Sequence, residues 1–443
     1  ARTDSDFEDC PFRGARIQVT KPNRAERHLE ERPPKGPRCP DSAGGARGAP
    51  RPLDCSLVGI PQRSVVEAPR VYRKGESFQS LSVRGVETGV LARISALRAS
   101  LESGNLPSSH VEILKRACDD LLDPPSGSGA GVFWLRPHVL EEIDRVDDSQ
   151  LGRYLFHRYR YDVFPVTKEL DDYPPCVQIE PTSICNFRCV FCFQADPLLA
   201  QRKEGHMGQM PVERFKAVID QIEGHVEFVT LASRGEPLLT KGIEEMLAYA
   251  SGKFLGFKIN SNATFLDERR AHAILEAEPN TLVFSADAAD PETYAQLRVN
   301  GDFDKVMGNI RRFKEIKERD YPNSRTITRV SGVAFDRTRQ DHGSIEAFWQ
   351  DHVDQVAFVD YNPWENAYDN EPNEILDACS DLWRRTFVWW DGRVNPCDVD
   401  YRSFLSPGSI DSETVSEVWT GKGYSKLREL HLERQRQSLT PCR

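Results

Sequence analysis

The spacing of apolar residues changes character several times along the chain. Residues 1–75 are rich in Pro, Gly and Arg (ERPPKGPRCPDSAGGARGAPRP) and show neither helical nor strand periodicity. Such a segment buries too little apolar surface to offset its ordering entropy, so it is expected to be disordered. Residues 76–170 read as a helical accessory region. Val90, Ile94, Leu97 and Leu101 form one apolar stripe, and Val111, Leu114, Cys118 and Leu121 form a second, with Ser109 as the predicted cap. PPSGSGAG (124–131) breaks the pattern, and the aromatic run YLFHRYRYDVF (154–164) is expected to pack against the domain C-terminal to it.

Residues 171–370 alternate short apolar runs with amphipathic stretches, the texture of a parallel β/α sheet. The predicted strands are 176–181, 227–232, 256–262, 281–287, 327–334 and 354–361, and the predicted helices 211–223, 239–251, 267–277, 303–318 and 341–351. Six such units predict an α/β fold, a partial (β/α)6 barrel. In such folds ligands collect at the carboxyl ends of the strands. Residues 371–443 change again, with Asp391-Gly392 as a hairpin turn and a helical stretch around Val418-Trp419 and Leu427–Leu432.

Composition narrows the function classes. The chain has 443 residues and a formal net charge of -10, which argues against nucleic-acid or anionic-membrane partners. No run of about 18 apolar residues or signal peptide is present, so a soluble, cytoplasmic protein is expected. The 11 cysteines are bunched at short spacings, pointing to metal ligation more than to a disulfide framework. Cys10, Cys39 and Cys55 in the low-complexity segment carry no ligand pattern. The chain starts at Ala1, and its 4 methionines all lie beyond residue 200, so the natural start is expected to lie elsewhere.

The densest chemistry comes after the first predicted barrel strand. Cys185, Cys189 and Cys192 form a Cys-x3-Cys-x2-Cys loop. Three thiolates with no fourth nearby suit a [4Fe–4S] cluster with one iron left open, while a zinc site or buried thiols are the alternatives for the triad alone. The next strand ends carry Ser233-Arg234-Gly235-Glu236-Pro237, then Asn260-Ser261-Asn262-Ala263-Thr264, then Ser285-Ala286-Asp287-Ala288.

Together these motifs resemble the radical S-adenosylmethionine (SAM) superfamily. The resemblance implies that Cys185, Cys189 and Cys192 hold the cluster that binds SAM, and that Phe191 packs near the adenine. Gly235, Glu236 and Pro237 resemble the family's GEP-type motif, which receives the SAM ammonium, with Arg234 where many members have a first glycine. Asn262 stands in the segment similar to the family's Asn-Gly element. Ser285 and Asp287 are expected to meet the ribose hydroxyls, and Arg298 to reach the SAM carboxylate, with a surface salt bridge as the alternative for that arginine.

Twelve residues separate Cys379 from Gly392, and Cys397 comes after that glycine by the x4 gap, an opening similar to SPASM and twitch domains. With Cys442 as the next ligand, this implies an auxiliary [4Fe–4S] cluster in a small C-terminal domain. The sequence stops at Arg443, before a fourth cysteine, so truncation is expected, and one or two auxiliary clusters remain open.

The resemblance implies an enzyme, a radical SAM oxidoreductase or related radical enzyme. It would cleave SAM reductively and use the 5′-deoxyadenosyl radical to abstract hydrogen, drawing electrons from a low-potential donor such as flavodoxin or ferredoxin. Asp360, Asn362, Trp364 and Glu365, at the last strand end, suggest a small carbohydrate-like substrate, with a connecting loop as the plainer reading. Maturation of a ribosomal peptide is the alternative enzyme, and a non-catalytic iron–sulfur or zinc module the alternative of another class. No residue identifies itself as hydrogen donor or general base.

Overall fold

The computed structural model describes residues 70–73, 87–102, 107–124, 131–197, 199, 205–335, 340–361, 367–369 and 371–442, all within the unit Val66–Arg443. The cysteines at 10, 39 and 55 and the expected disorder of residues 1–69 lie outside the described residues. Residues 70–73, however, form a strand.

Six parallel strands make the centre of the sheet: β2 (Cys176–Ile179), β3 (Phe228–Leu231), β4 (Gly256–Ser261), β5 (Thr281–Ser285), β6 (Ile327–Ala334) and β7 (Gln355–Asp360). They pair in chain order, each beside the next. β1 (Arg70–Arg73) adds in parallel to β7 at one edge, and β8 (Arg385–Val388) adds in parallel to β2 at the other. β9 (Arg393–Asn395) and β10 (Gly408–Ser409) continue from β8 as an antiparallel ribbon. The ten-stranded order is therefore linear from β1 to β10, a partial barrel whose far edge is supplied by the C-terminal segment.

Alternation within the strands separates two environments. Val177 and Ile179 of β2, and Val229 and Leu231 of β3, are fully buried in the core shared with the helices, while Gln178 and Thr230 face the other way. The covering helices are α6 (Val212–Ile222), α7 (Ile243–Ala250), α8 (Glu268–Ala277), α9 (Pro291–Leu297), α10 (Phe303–Asp320) and α11 (His342–Trp349). Asp267, Asp290, Asp302 and Asp341 cap α8, α9, α10 and α11 through their carboxylates. No described helix is long and apolar enough to cross a membrane.

A second core belongs to five helices preceding the barrel: α1 (Glu87–Ser100), α2 (Ser108–Leu122), α3 (Pro137–Arg145), α4 (Asp148–Asp162) and α5 (Phe164–Thr167). Ser109 does not cap the second of these. The helix begins at Ser108 with Pro107 at the N-cap, whose ring offers no hydrogen-bond acceptor, so no side-chain cap forms and Ser109 falls inside the first turn. The aromatic run does pack onto the barrel, with His157 stacked on Phe228 at 3.9 Å between ring centres. A third core, around Trp383, Trp419 and Tyr424, supports the C-terminal cysteines.

Candidate functional site

The loop between β2 and α6 carries the three clustered cysteines and is tied down locally. Arg188 and Val190 donate their backbone N–H groups to the carbonyls of Val299 and Leu297, at 2.9 and 3.1 Å, and Cys192 N–H donates to the Cys189 carbonyl. Phe187 and Phe191 are buried beneath it. Each sulfur has a donor aimed at it. Phe187 N–H lies 3.4 Å from Cys185 Sγ, Gln194 N–H 3.5 Å from Cys192 Sγ, and Arg298 Nη1 3.6 Å from Cys189 Sγ. Burial pushes the Cys185 and Cys192 thiols up to about 12 and raises Cys189 as well. The positive charge of a bound metal would favour their thiolate forms.

These cysteines open onto a cavity of about 320 Å³, also lined by Gly235, Glu236, Ser261, Asn262, Ser285, Phe191 and Arg298. Glu236 is buried and holds a fixed orientation. Its carboxylate accepts from Leu238 N–H at 3.0 Å, from the Ser261 hydroxyl at 2.7 Å and from Asn262 N–H at 2.6 Å. Burial raises its pKa, against these hydrogen bonds, which lower it. Gly235 is dictated by crowding, since a Cβ there would lie 2.1 Å from the Thr182 carbonyl oxygen. Ser233 holds φ 144° and Ala263 φ 60°, both in the region that favours glycine. Pro237 is not part of the cavity wall. It opens a short 3-10 turn, Pro237–Leu239, so the predicted helix at 239–251 starts later, at Ile243.

Asn262 donates to Asn186 Oδ1 at 2.9 Å and accepts from Thr264 N–H at 3.0 Å. Ser285 faces the cavity. Asp287 does not: it is fully buried, and its two oxygens accept from Arg298 Nε and from Val333 N–H. Asp287, expected to meet the ribose hydroxyls, thus lies behind the cavity lining and is bonded to Arg298. Arg298 is no surface salt bridge, being buried against Asp287 and stacked over Phe191 at 5.2 Å.

Three polar atoms of cavity residues, Gln194 Oε1, Ser233 Oγ and Asn260 Oδ1, are buried without a hydrogen-bond partner. Orphaned buried oxygens beside a cavity call for a polar ligand. Among the described residues no three metal-ligating side chains converge tightly enough to hold a single ion. Donors on every sulfur, the buried carboxylate of Glu236 and the orphaned oxygens all fit a [4Fe–4S] cluster with SAM.

The C-terminal cysteines also gather. Cys397 sits after β9, Cys379 at the head of the 3-10 turn Ser380–Trp383, and Cys442 in the turn Thr440–Cys442. Burial raises the Cys397 thiol well above its usual range, and the nearby Asp398, Cys442 and Cys379 raise it further. Burial and Cys379 push Cys442 up to about 12. Backbone N–H groups of Asp381 and Asp400 point at Cys379 and Cys397. This arrangement fits an auxiliary cluster.

Sequence reading missed Asp398, which comes directly after Cys397 yet lines the same cavity as Cys185, Cys189 and Cys192, together with Gln178 and Asn260. The only signal for it was that adjacency. Asn362, Trp364 and Glu365, and the side chain of Asp360, lie outside the described residues.

Comparison with known proteins agrees with this geometry. Residues 179–330 match the model of the radical SAM superfamily, and residues 379–443 match that of the SPASM iron–sulfur cluster-binding domain. The Fe-coproporphyrin III synthase of Methanosarcina barkeri is 30% identical over 146 residues, covering 32% of this chain and 35% of that protein. Mycofactocin maturase MftC of Mycobacterium tuberculosis is 26% identical over 136 residues, covering 31% and 33%. The matched stretches thus span about a third of the length of these relatives. The crystal structure of BtrN in complex with AdoMet and 2-DOIA aligns over 60% of this chain and 90% of that chain, at 18% identity and a TM-score of 0.41.

Proposed function

For a chain that belongs to the radical SAM superfamily and carries a SPASM domain, we propose a radical enzyme acting on a small, carbohydrate-like metabolite. The observation that carries this reading is the shared cavity. The three loop cysteines, Glu236, Ser285 and Arg298 line it together with Gln178, Asn260 and Asp398, which add polar contacts.

When bound, the cluster and SAM supply an electron and a 5′-deoxyadenosyl radical for hydrogen abstraction; a low-potential reductant such as flavodoxin or ferredoxin would be the partner. Cys185, Cys189 and Cys192 would hold the cluster. Glu236, fixed by Ser261 and Asn262, would receive the SAM ammonium, and Arg298, oriented by Asp287, its carboxylate. Phe191 and Ser285 would flank the adenosine. Their common task is to hold the reacting groups in one geometry and exclude competing donors. Asp398 is a carboxylate placed to hydrogen-bond a hydroxylated substrate or to accept its proton. Cys379, Cys397 and Cys442 would hold the auxiliary cluster, which could accept the electron of a substrate radical as it is oxidised to product.

The resemblance to mycofactocin maturase favours a peptide substrate as the second reading. The two are separated by incubating anaerobically reconstituted protein, SAM and reductant with deuterated polyols and sugars, or with deuterated peptides. Deuterium appearing in 5′-deoxyadenosine from a sugar supports the first reading, and from peptide alone supports the second.

A further inference from the structure

Arg234 stands directly before Gly235 and Glu236 in the SAM-binding loop, and its side chain is held from several sides. Arg234 is 3% exposed and Glu180, at the end of β2, is fully buried. Nε and Nη2 of Arg234 donate to the two Glu180 oxygens at 2.7 and 2.6 Å, and its backbone N–H adds a third bond at 3.1 Å. Nη1 crosses to the C-terminal domain and donates to the Tyr401 carbonyl at 2.9 Å. The guanidinium lies over the Trp389 ring at 4.5 Å, and the Arg234 carbonyl accepts from Gln194, two residues beyond Cys192.

From its place in the loop that carries Glu236, one side chain therefore touches three further segments: the β2 end leading into the cysteine loop, the turn after β8, and the segment Cys397–Tyr401. A planar fork held bidentately by a buried carboxylate is stiff, and lysine cannot reproduce it. From this geometry we propose that Arg234 is a positioning residue that couples the auxiliary cysteine loop to the SAM-binding loop. A disturbance at Cys397 is then felt as weaker SAM binding. The inference rests on the radical SAM reading of the cavity and adds a coupling that the reading does not require.

A second tie joins the same neighbourhoods without Arg234: Arg402 bonds Asp196 at 2.6 Å, and Tyr401 stacks on Phe193 at 5.4 Å. It serves as the control for simple docking of the two domains.

The test is a double-mutant cycle read by anaerobic equilibrium dialysis of SAM on reconstituted protein, with the SAM-induced change in the cluster's EPR spectrum as second readout. Cys397→Ser and Arg234→Lys are each expected to weaken SAM binding about tenfold, within the range of ordinary coupling energies, and the double variant no further. Arg402→Gln combined with Cys397→Ser should give additive effects. If Arg234→Lys fails to fold, Trp389→Leu replaces it, because it removes the ring under the guanidinium and leaves the ion pair. Unchanged SAM affinity in Cys397→Ser, or additive losses in its combination with Arg234→Lys or Trp389→Leu, overturns the proposal. Absence of SAM binding by the unmutated protein would instead overturn the functional reading beneath it.

Discussion

Arg298 and Asp287 form a buried ion pair whose outer face reaches the sulfur of Cys189, 3.6 Å from Arg298 Nη1. The carboxylate is fully enclosed, so it depends on the guanidinium and on Val333 N–H for compensation. Removing one partner leaves a stranded charge. Arg298→Gln should therefore destabilise the protein by about 3–5 kcal/mol, and adding Asp287→Asn should recover part of that loss. Urea unfolding of the two single variants and the double variant measures the coupling.

Two neighbours in the Glu236 loop should respond in opposite directions. Gly235→Ala would drive a Cβ against the carbonyl oxygens of Thr182 and Ile184, which are backbone and cannot move aside. It should abolish SAM binding and lower stability. Ser233→Gly relieves a positive φ and is expected to be neutral or to stabilise by up to about 1 kcal/mol. Thermal denaturation and SAM dialysis on both variants check the contrast.

His157 should make the protein sensitive to mild acid. It is 1% exposed, stacked on Phe228 and bonded to the Pro175 carbonyl at 3.0 Å through Nδ1. Burial, with Arg158 and Arg160 nearby, holds its pKa well below the usual histidine value. The unfolded chain then binds the extra proton first, so stability is fully present above about pH 6.5 and declines as pH falls below it. Urea midpoints at pH 7.5 and 5.5 should differ more for the unmutated protein than for His157→Gln.

What could be read from the sequence was local. The six central strands stand out because each is an apolar run of a few residues ending in a polar motif, and they appear as β2–β7 within a few residues of the expected bounds. The edges did not stand out. Arg70–Arg73 lies in a Pro- and Gly-rich context, and its pairing with β7 is a contact across more than two hundred residues. The pairing of β8 with β2 is equally non-local, and it moves the C-terminal segment from a separate appendage to an edge of the barrel sheet. The same holds for the site. Cys185, Glu236 and Ser285 are recognisable from spacing, whereas the inward turn of Asp287, the entry of Asp398 into the cavity and the reach of Arg234 to Tyr401 are decided by tertiary packing.

Loss of individual cysteines should divide the iron content in two. Cys185→Ala, Cys189→Ala or Cys192→Ala should remove the cluster whose EPR spectrum responds to SAM. Cys379→Ala or Cys397→Ala should remove a second signal and leave the first present. Iron and sulfide analysis with EPR of the reduced proteins distinguishes the two classes.

The central claim, that the cavity beside Cys185, Cys189 and Cys192 holds a cluster and SAM, is met most directly by one assay. Anaerobically reconstituted protein is incubated with SAM and a strong reductant, and the products are separated chromatographically. Formation of 5′-deoxyadenosine by the unmutated protein, and its loss in Cys192→Ala, is the predicted result. Protein that binds zinc in place of iron at these cysteines and leaves SAM intact would contradict it.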